Sequence, residues 1–192
     1  MRNQNTRTLA QLAILIALLA VLTFTPIGFI MVPPVSITLM HIPVIVGAML
    51  MGPKQGGVLG LAFGLFSMIK ASTAAASPVD MAFSPFLSGE PVASLVLCLL
   101  PRVLLGVVAG LLYSLLSRKM KGDAPAMAVT AVVSSFFHTA AVMGLLWVLF
   151  QALPLKSIIM TVVSVNSLLE ALAAGILATA VCKAVKRTSK AS

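Results

Sequence analysis

Four polar side chains fall at one depth inside apolar runs, and their types limit the chemistry this chain can do. Arg102 sits about midway along "LCLLPRVLLGVVAGLL" (97–112), directly after a proline. Asn166 and Glu170 lie one helical turn apart in "SVNSLLEALAAG" (164–175), and His138 stands in "SSFFHTAAV" (134–142). At about 1.5 Å of rise per residue, all four converge on one slab near the middle of their segments. A charge at that depth costs roughly 3 kcal/mol on insertion scales, so it needs a reason to be there. Two arrangements supply one. An Arg102–Glu170 ion pair would fix helix register, with Asn166 and His138 taking up the remaining hydrogen bonds. Alternatively, a polar cavity open to the outside would let Arg102 meet a ligand carboxylate as a bidentate fork. His41, Lys70, Ser84, Ser88, Glu90, Trp147 and Gln151 would rim that cavity. His41 also reads as an interface histidine, and Trp147 as a member of an aromatic belt.

No catalytic or metal-binding set accompanies these residues. The sequence has no GxxxxGK[ST] phosphate loop, no HExxH and no paired-carboxylate spacing, so neither enzyme chemistry nor a cofactor or metal is expected. Cys98 and Cys182 lie in apolar runs without CxxC spacing and read as inert buried thiols. The net charge of +9 does not form a basic stripe interleaved with aromatics, which argues against a nucleic-acid partner.

The elements that must position the polar slab are membrane spans. The 192-residue chain is 60% hydrophobic and 9% charged, too little polar surface for a soluble domain of this size. Six apolar segments, about 8–25, 37–52, 56–70, 91–117, 125–150 and 157–182, predict a single all-α membrane domain, a six-helix bundle in the lipid bilayer. The first is expected to be a retained span rather than a cleaved leader. The second and third are short and are divided by "MGPKQGG" (51–57), which reads as the tight turn of a hairpin.

Basic residues decide orientation. Arg2, Arg7, Lys54, Arg118, Lys119, Lys121, Lys183, Lys186, Arg187 and Lys190 fall on one side, against Lys70 and Lys156 on the other, so both termini are expected to be cytoplasmic. The outer loops then include "TPIGFIMVPPVS" (25–36) and "ASTAAASPVDMAFSPFLSGEP" (71–91), apolar enough to pack as lids.

Small residues recur at spacing four. Gly56, Gly60 and Gly64 share a helix face, as do Gly106 and Gly110, and Ala13 and Ala17 repeat the pattern in the first span. Such faces allow close helix approach in lipid. Packing within the bundle explains any one of them; docking against a second membrane protein is the sharper reading for the alanine face.

The blocks "ITLMHIPVIVGAMLMGPKQGGVLGLAFGLFSMIKA" (37–71), "PRVLLGVVAGLLY" (101–113) and "VNSLLEALAAGIL" (165–177) resemble the substrate-binding S-components of energy-coupling factor (ECF) vitamin transporters. The resemblance covers nearly the whole chain. It implies a plasma-membrane subunit without ATPase activity that binds a vitamin in an outward cavity. It further implies a transmembrane scaffold and two ABC ATPases as partners, with Ala13 and Ala17 matching the family's scaffold-docking motif. Among family members the blocks look most like the pantothenate type. The single Trp and single Tyr agree, since flat vitamins such as riboflavin commonly need aromatic stacking. Besides an S-component for another vitamin, an autonomous secondary transporter and a membrane enzyme or assembly factor acting on lipids are the competing classes.

Overall fold

The computed structural model describes residues 2–32, 35–75, 78–150 and 167–191. Helix α1 (Arg2–Phe24) leads through a 3₁₀ turn (Pro26–Gly28) into an antiparallel hairpin of β1 (Phe29–Val32) and β2 (Val35–Thr38). There follow α2 (His41–Met51), α3 (Pro53–Ala74), a one-turn helix α4 (Pro78–Ala82), α5 (Pro91–Lys119), α6 (Asp123–Leu149) and α7 (Ser167–Ala191). Among the described residues, α1, α3, α5, α6 and α7 are long and apolar enough to cross a membrane. The chain is a multi-pass membrane protein.

The short element is α2. Eleven residues rise about 16 Å, roughly half of a hydrocarbon core of about 30 Å. The expected span 37–52 therefore needs correction, because its first residues belong to β2 and only His41–Met51 is helical. The reason is local: "VPPVSIT" supplies prolines that cannot continue a helix and β-branched residues that suit a strand. Register pairs Phe29 with Thr38 and Val32 with Val35, so the hairpin occupies most of the expected outer loop and takes the first two residues of the expected span. The expected sixth span also changes: α7 runs on to Ala191, and residues 157–166 lie outside the described ones.

The α2–α3 turn does form, and its geometry is minimal. Gly52 takes φ 96°, a left-handed conformation that suits glycine, and Pro53 opens α3 at the position where a missing N–H costs nothing. Within this hairpin α2 is the axis of the bundle. His41 through Met49 are all buried, and the helix is packed against by α1, α3, α5, α6 and α7. A helix that is apolar and enclosed on every side is a core element rather than a lipid-facing one.

Glycine brings α3 onto α5. A Cβ on Gly60 would overlap the Arg102 carbonyl, one on Gly56 would overlap that of Gly106, and one on Gly64 would lie 2.8 Å from that of Cys98. The glycine stripe is thus internal packing, backbone to backbone over three turns. At the end of the bundle away from the hairpin, Lys186 of α7 bridges Asp123 of α6 at 2.9 Å and Tyr113 of α5. Both cysteines are free and buried, as expected.

Candidate functional site

Proline and arginine at 101–102 form a local device. Helix α5 runs unbroken through Pro101, whose nitrogen carries no hydrogen, so the Leu97 carbonyl one turn earlier loses its usual main-chain donor. In a membrane interior an orphaned carbonyl is costly. Arg102 Nη1 folds back along its own helix and donates to Leu97 O at 2.8 Å. The guanidinium then lies beside two rings, with its central carbon 4.9 Å from the Phe83 centroid and 5.5 Å from that of Phe63. These are cation–π distances.

The stack continues beyond Phe63. His138 of α6 tilts against it at 5.9 Å between ring centroids, and His41 of α2 stacks on His138 at 6.4 Å with 22° between the ring planes. Ser135 Oγ hydrogen-bonds His41 Nε2 at 3.2 Å and fixes the end of the row. Phe83, Arg102, Phe63, His138 and His41 thus come from the 78–90 strap, α5, α3, α6 and α2, and one line of rings ties five parts of the chain together. Arg102 Nε and His138 Nδ1 in this row, and Ser134 Oγ of α6, are buried polar atoms without a hydrogen-bond partner among the described residues. A polar group buried without a hydrogen bond is unusual in native proteins.

Arg102 and Glu170 do not pair. The Glu170 carboxylate accepts the Thr38 backbone N–H at 2.8 Å and ties α7 to the base of the β-hairpin. The remaining acids are engaged or distant. Asp123 pairs with Lys186, Asp80 faces Lys70, and Glu90 is exposed at the start of α5, twelve residues or about 18 Å from Arg102. The sequence holds four acids in all, none of them outside the described residues. Arg102, 7% exposed, is therefore a buried cation with no side-chain carboxylate to neutralise it.

The other expected site residues fall around this centre. Ser84 is fully buried and shares a hydrogen bond of 2.8 Å with Ser72. Ser88 Oγ accepts from Ser94 Oγ at 2.7 Å, and Ser94 also reaches the Ala82 carbonyl. Both serines therefore build the strap that presents Phe83 to the guanidinium. Lys70 is half-buried beside that strap, and Trp147 stands 65% exposed on the outer surface of α6. Asn166 lies outside the described residues. Phe63 was missed by sequence reasoning, although a signal was present: it sits between Gly60 and Gly64, on the side of α3 that glycine clears for close approach.

Arg102 is thus a buried cation without a carboxylate counter-ion inside a bundle of apolar helices. A family model described as "ECF transporter, substrate-specific component" matches residues 7–185. The chain belongs to this family. The pantothenic acid transporter PanT of Lactococcus lactis subsp. cremoris (strain MG1363) is 31% identical to this S-component over 200 residues, spanning 97% of each chain. Among solved structures, the S-component for biotin from an ECF-type ABC transporter matches with a TM-score of 0.52 at 20% identity, covering 95% of this chain and 94% of that one. That likeness concerns the fold. The S-component family is a transporter binding component, not an enzyme class.

Proposed function

We propose that this S-component captures pantothenate from outside the cell for ATP-driven import, and that Arg102 receives the ligand's carboxylate. The observation that carries the reading is the buried guanidinium with no internal carboxylate. Such a charge is tolerated in a membrane interior when a bound anion completes it. Pantothenate also offers an amide and two hydroxyls, which suit His138 Nδ1, Ser134 Oγ and the Asn166 side chain. His41 orders this row, and Glu170 holds the hairpin over it. Lys70, Ser84 and Ser88 shape the rim through the strap, while Trp147 anchors α6 at the interface. The 31% identity to a pantothenic acid transporter supports this ligand over a flat one such as riboflavin.

The proposal extends to partners and place. Import requires a transmembrane scaffold and two ABC ATPases, since this chain carries no nucleotide-binding motif. Ala13 and Ala17 are exposed on α1, which fits a docking face for that scaffold. The distribution of basic residues supports cytoplasmic termini, and uptake from outside the cell calls for the plasma membrane.

Calorimetric titration of the purified chain with pantothenate tests the ligand. Saturable binding is expected in the wild type, weakened at least a hundredfold in Arg102→Met, the scale of a lost charge-assisted contact to a buried partner. Equal affinity in the two proteins overturns the role of Arg102. Ion-driven pantothenate flux into liposomes holding this chain alone would instead establish an autonomous transporter.

A further inference from the structure

Arg102 has long, flexible geometry, yet a selective site needs its charge in one place. The structure shows what holds it. Pro101 is fully buried and withholds the donor that Leu97 O would otherwise receive, and Arg102 Nη1 occupies that vacated acceptor at 2.8 Å. The bond spans five residues of the same helix, so the side chain is folded back toward the α5 N-terminus instead of extending across the bundle. Phe63 and Phe83 both lie within cation–π distance of the guanidinium, and Nε has no partner among the described residues.

From this we infer that Pro101 is a positioning residue for the anion site: by freeing the Leu97 carbonyl it creates the anchor that orients the Arg102 guanidinium toward a ligand carboxylate. The inference rests on the proposed ligand chemistry and adds a residue that touches no ligand. With an ordinary residue at 101, its N–H reclaims the Leu97 carbonyl and turns it back along the helix axis. The guanidinium then loses its one hydrogen-bonded anchor and samples several rotamers beside the rings. Loss of preorganisation falls on the ligand's charged group and spares the rest of the molecule.

Pro101→Ala tests this with two ligands, pantothenate and panthenol, the alcohol that lacks the carboxylate. The expected result is a loss of about tenfold in pantothenate affinity, the worth of one charge-assisted hydrogen bond, with panthenol affinity unchanged. Equal losses for both ligands assign Pro101 a merely structural role and overturn the inference, as does unchanged pantothenate binding. A ligand-free readout stands beside the titration. In protein labelled with ¹⁵N-arginine, Arg102 should give a rotationally restrained guanidinium signal, identified by its absence in Arg102→Lys and averaged in Pro101→Ala. A signal that stays restrained in Pro101→Ala overturns the anchor. Pro101→Ser repeats the experiment in a second background, and failure of both variants to fold also decides against positioning. Wild-type protein that binds no pantothenate but shows the restrained signal refutes the ligand reading while leaving the anchor standing.

Discussion

Two stripes of small residues at the same spacing meet opposite fates in this bundle. Gly56, Gly60 and Gly64 of α3 face inward and lie against the α5 backbone so closely that no Cβ fits at Gly56 or Gly60. Ala13 and Ala17 of α1 are exposed, while Leu19 and Thr23 of the same helix turn inward toward α2 and α3. The difference teaches that a spacing of four announces a smooth helix face without naming its occupant. Residue type adds the missing part. Glycine permits main chains to touch, as they do inside this fold, whereas alanine keeps a methyl group on the helix face.

Gly60→Ala should break the comparison from its buried side with the largest effect. The added methyl has only the Arg102 main chain to displace, so destabilisation of about 3 kcal/mol or more is expected, visible as loss of monodisperse protein after detergent extraction. A normally folded variant would mean that α3 and α5 slide apart freely. The exposed side is tested by Ala13→Leu with Ala17→Leu. This double variant should keep its melting temperature and pantothenate affinity yet lose co-purification with the scaffold and uptake in whole cells. Normal transport by the variant would show that the face meets only lipid. The smallest effect, opposite in sign, belongs to a glycine outside both stripes. At Gly144 of α6 an added Cβ meets nothing within 4 Å. Gly144→Ala should raise stability by roughly 0.5 kcal/mol through helix propensity alone, read as a slightly higher melting temperature.

Much of this was legible beforehand, and the exceptions share a cause. Long apolar runs declare themselves, so α1, α3, α5, α6 and α7 were all expected as helices. The glycine stripe and the Gly52–Pro53 corner were visible because each residue type has a narrow use. What stayed open was pairing, with an Arg102–Glu170 ion pair as one of two arrangements. Arg102 and Glu170 share a depth, and opposite charges at one depth invite an ion pair, but depth says nothing about azimuth. The true partners, Leu97 O and the Thr38 N–H, are main-chain groups freed by a proline and by the end of a strand. A main-chain partner carries no residue type of its own, so only the proline that freed Leu97 O marks the sequence. Ser84 and Ser88 were expected at the cavity rim, yet the hydrogen bonds they make lie within the strap and its neighbours. Hydroxyls in a Ser-rich loop are as able to fold the loop as to face a ligand.

The half-length helix α2 carries a consequence for how the protein is made. Eleven residues cannot be recognised as a span when they leave the ribosome, and His41 in the first turn adds to the cost of exposure to lipid. Its neighbours in the finished bundle include α5, α6 and α7, which are synthesised later. Insertion of α2 together with α3 is therefore the expected order, with the Gly52–Pro53 corner joining both segments in one unit. A released, truncated chain that ends at Met51 should leave α2 accessible to membrane-impermeant thiol reagents at an introduced cysteine, and one that ends beyond Ala74 should protect it. The core of this protein is thus assembled around a helix that cannot enter the membrane on its own.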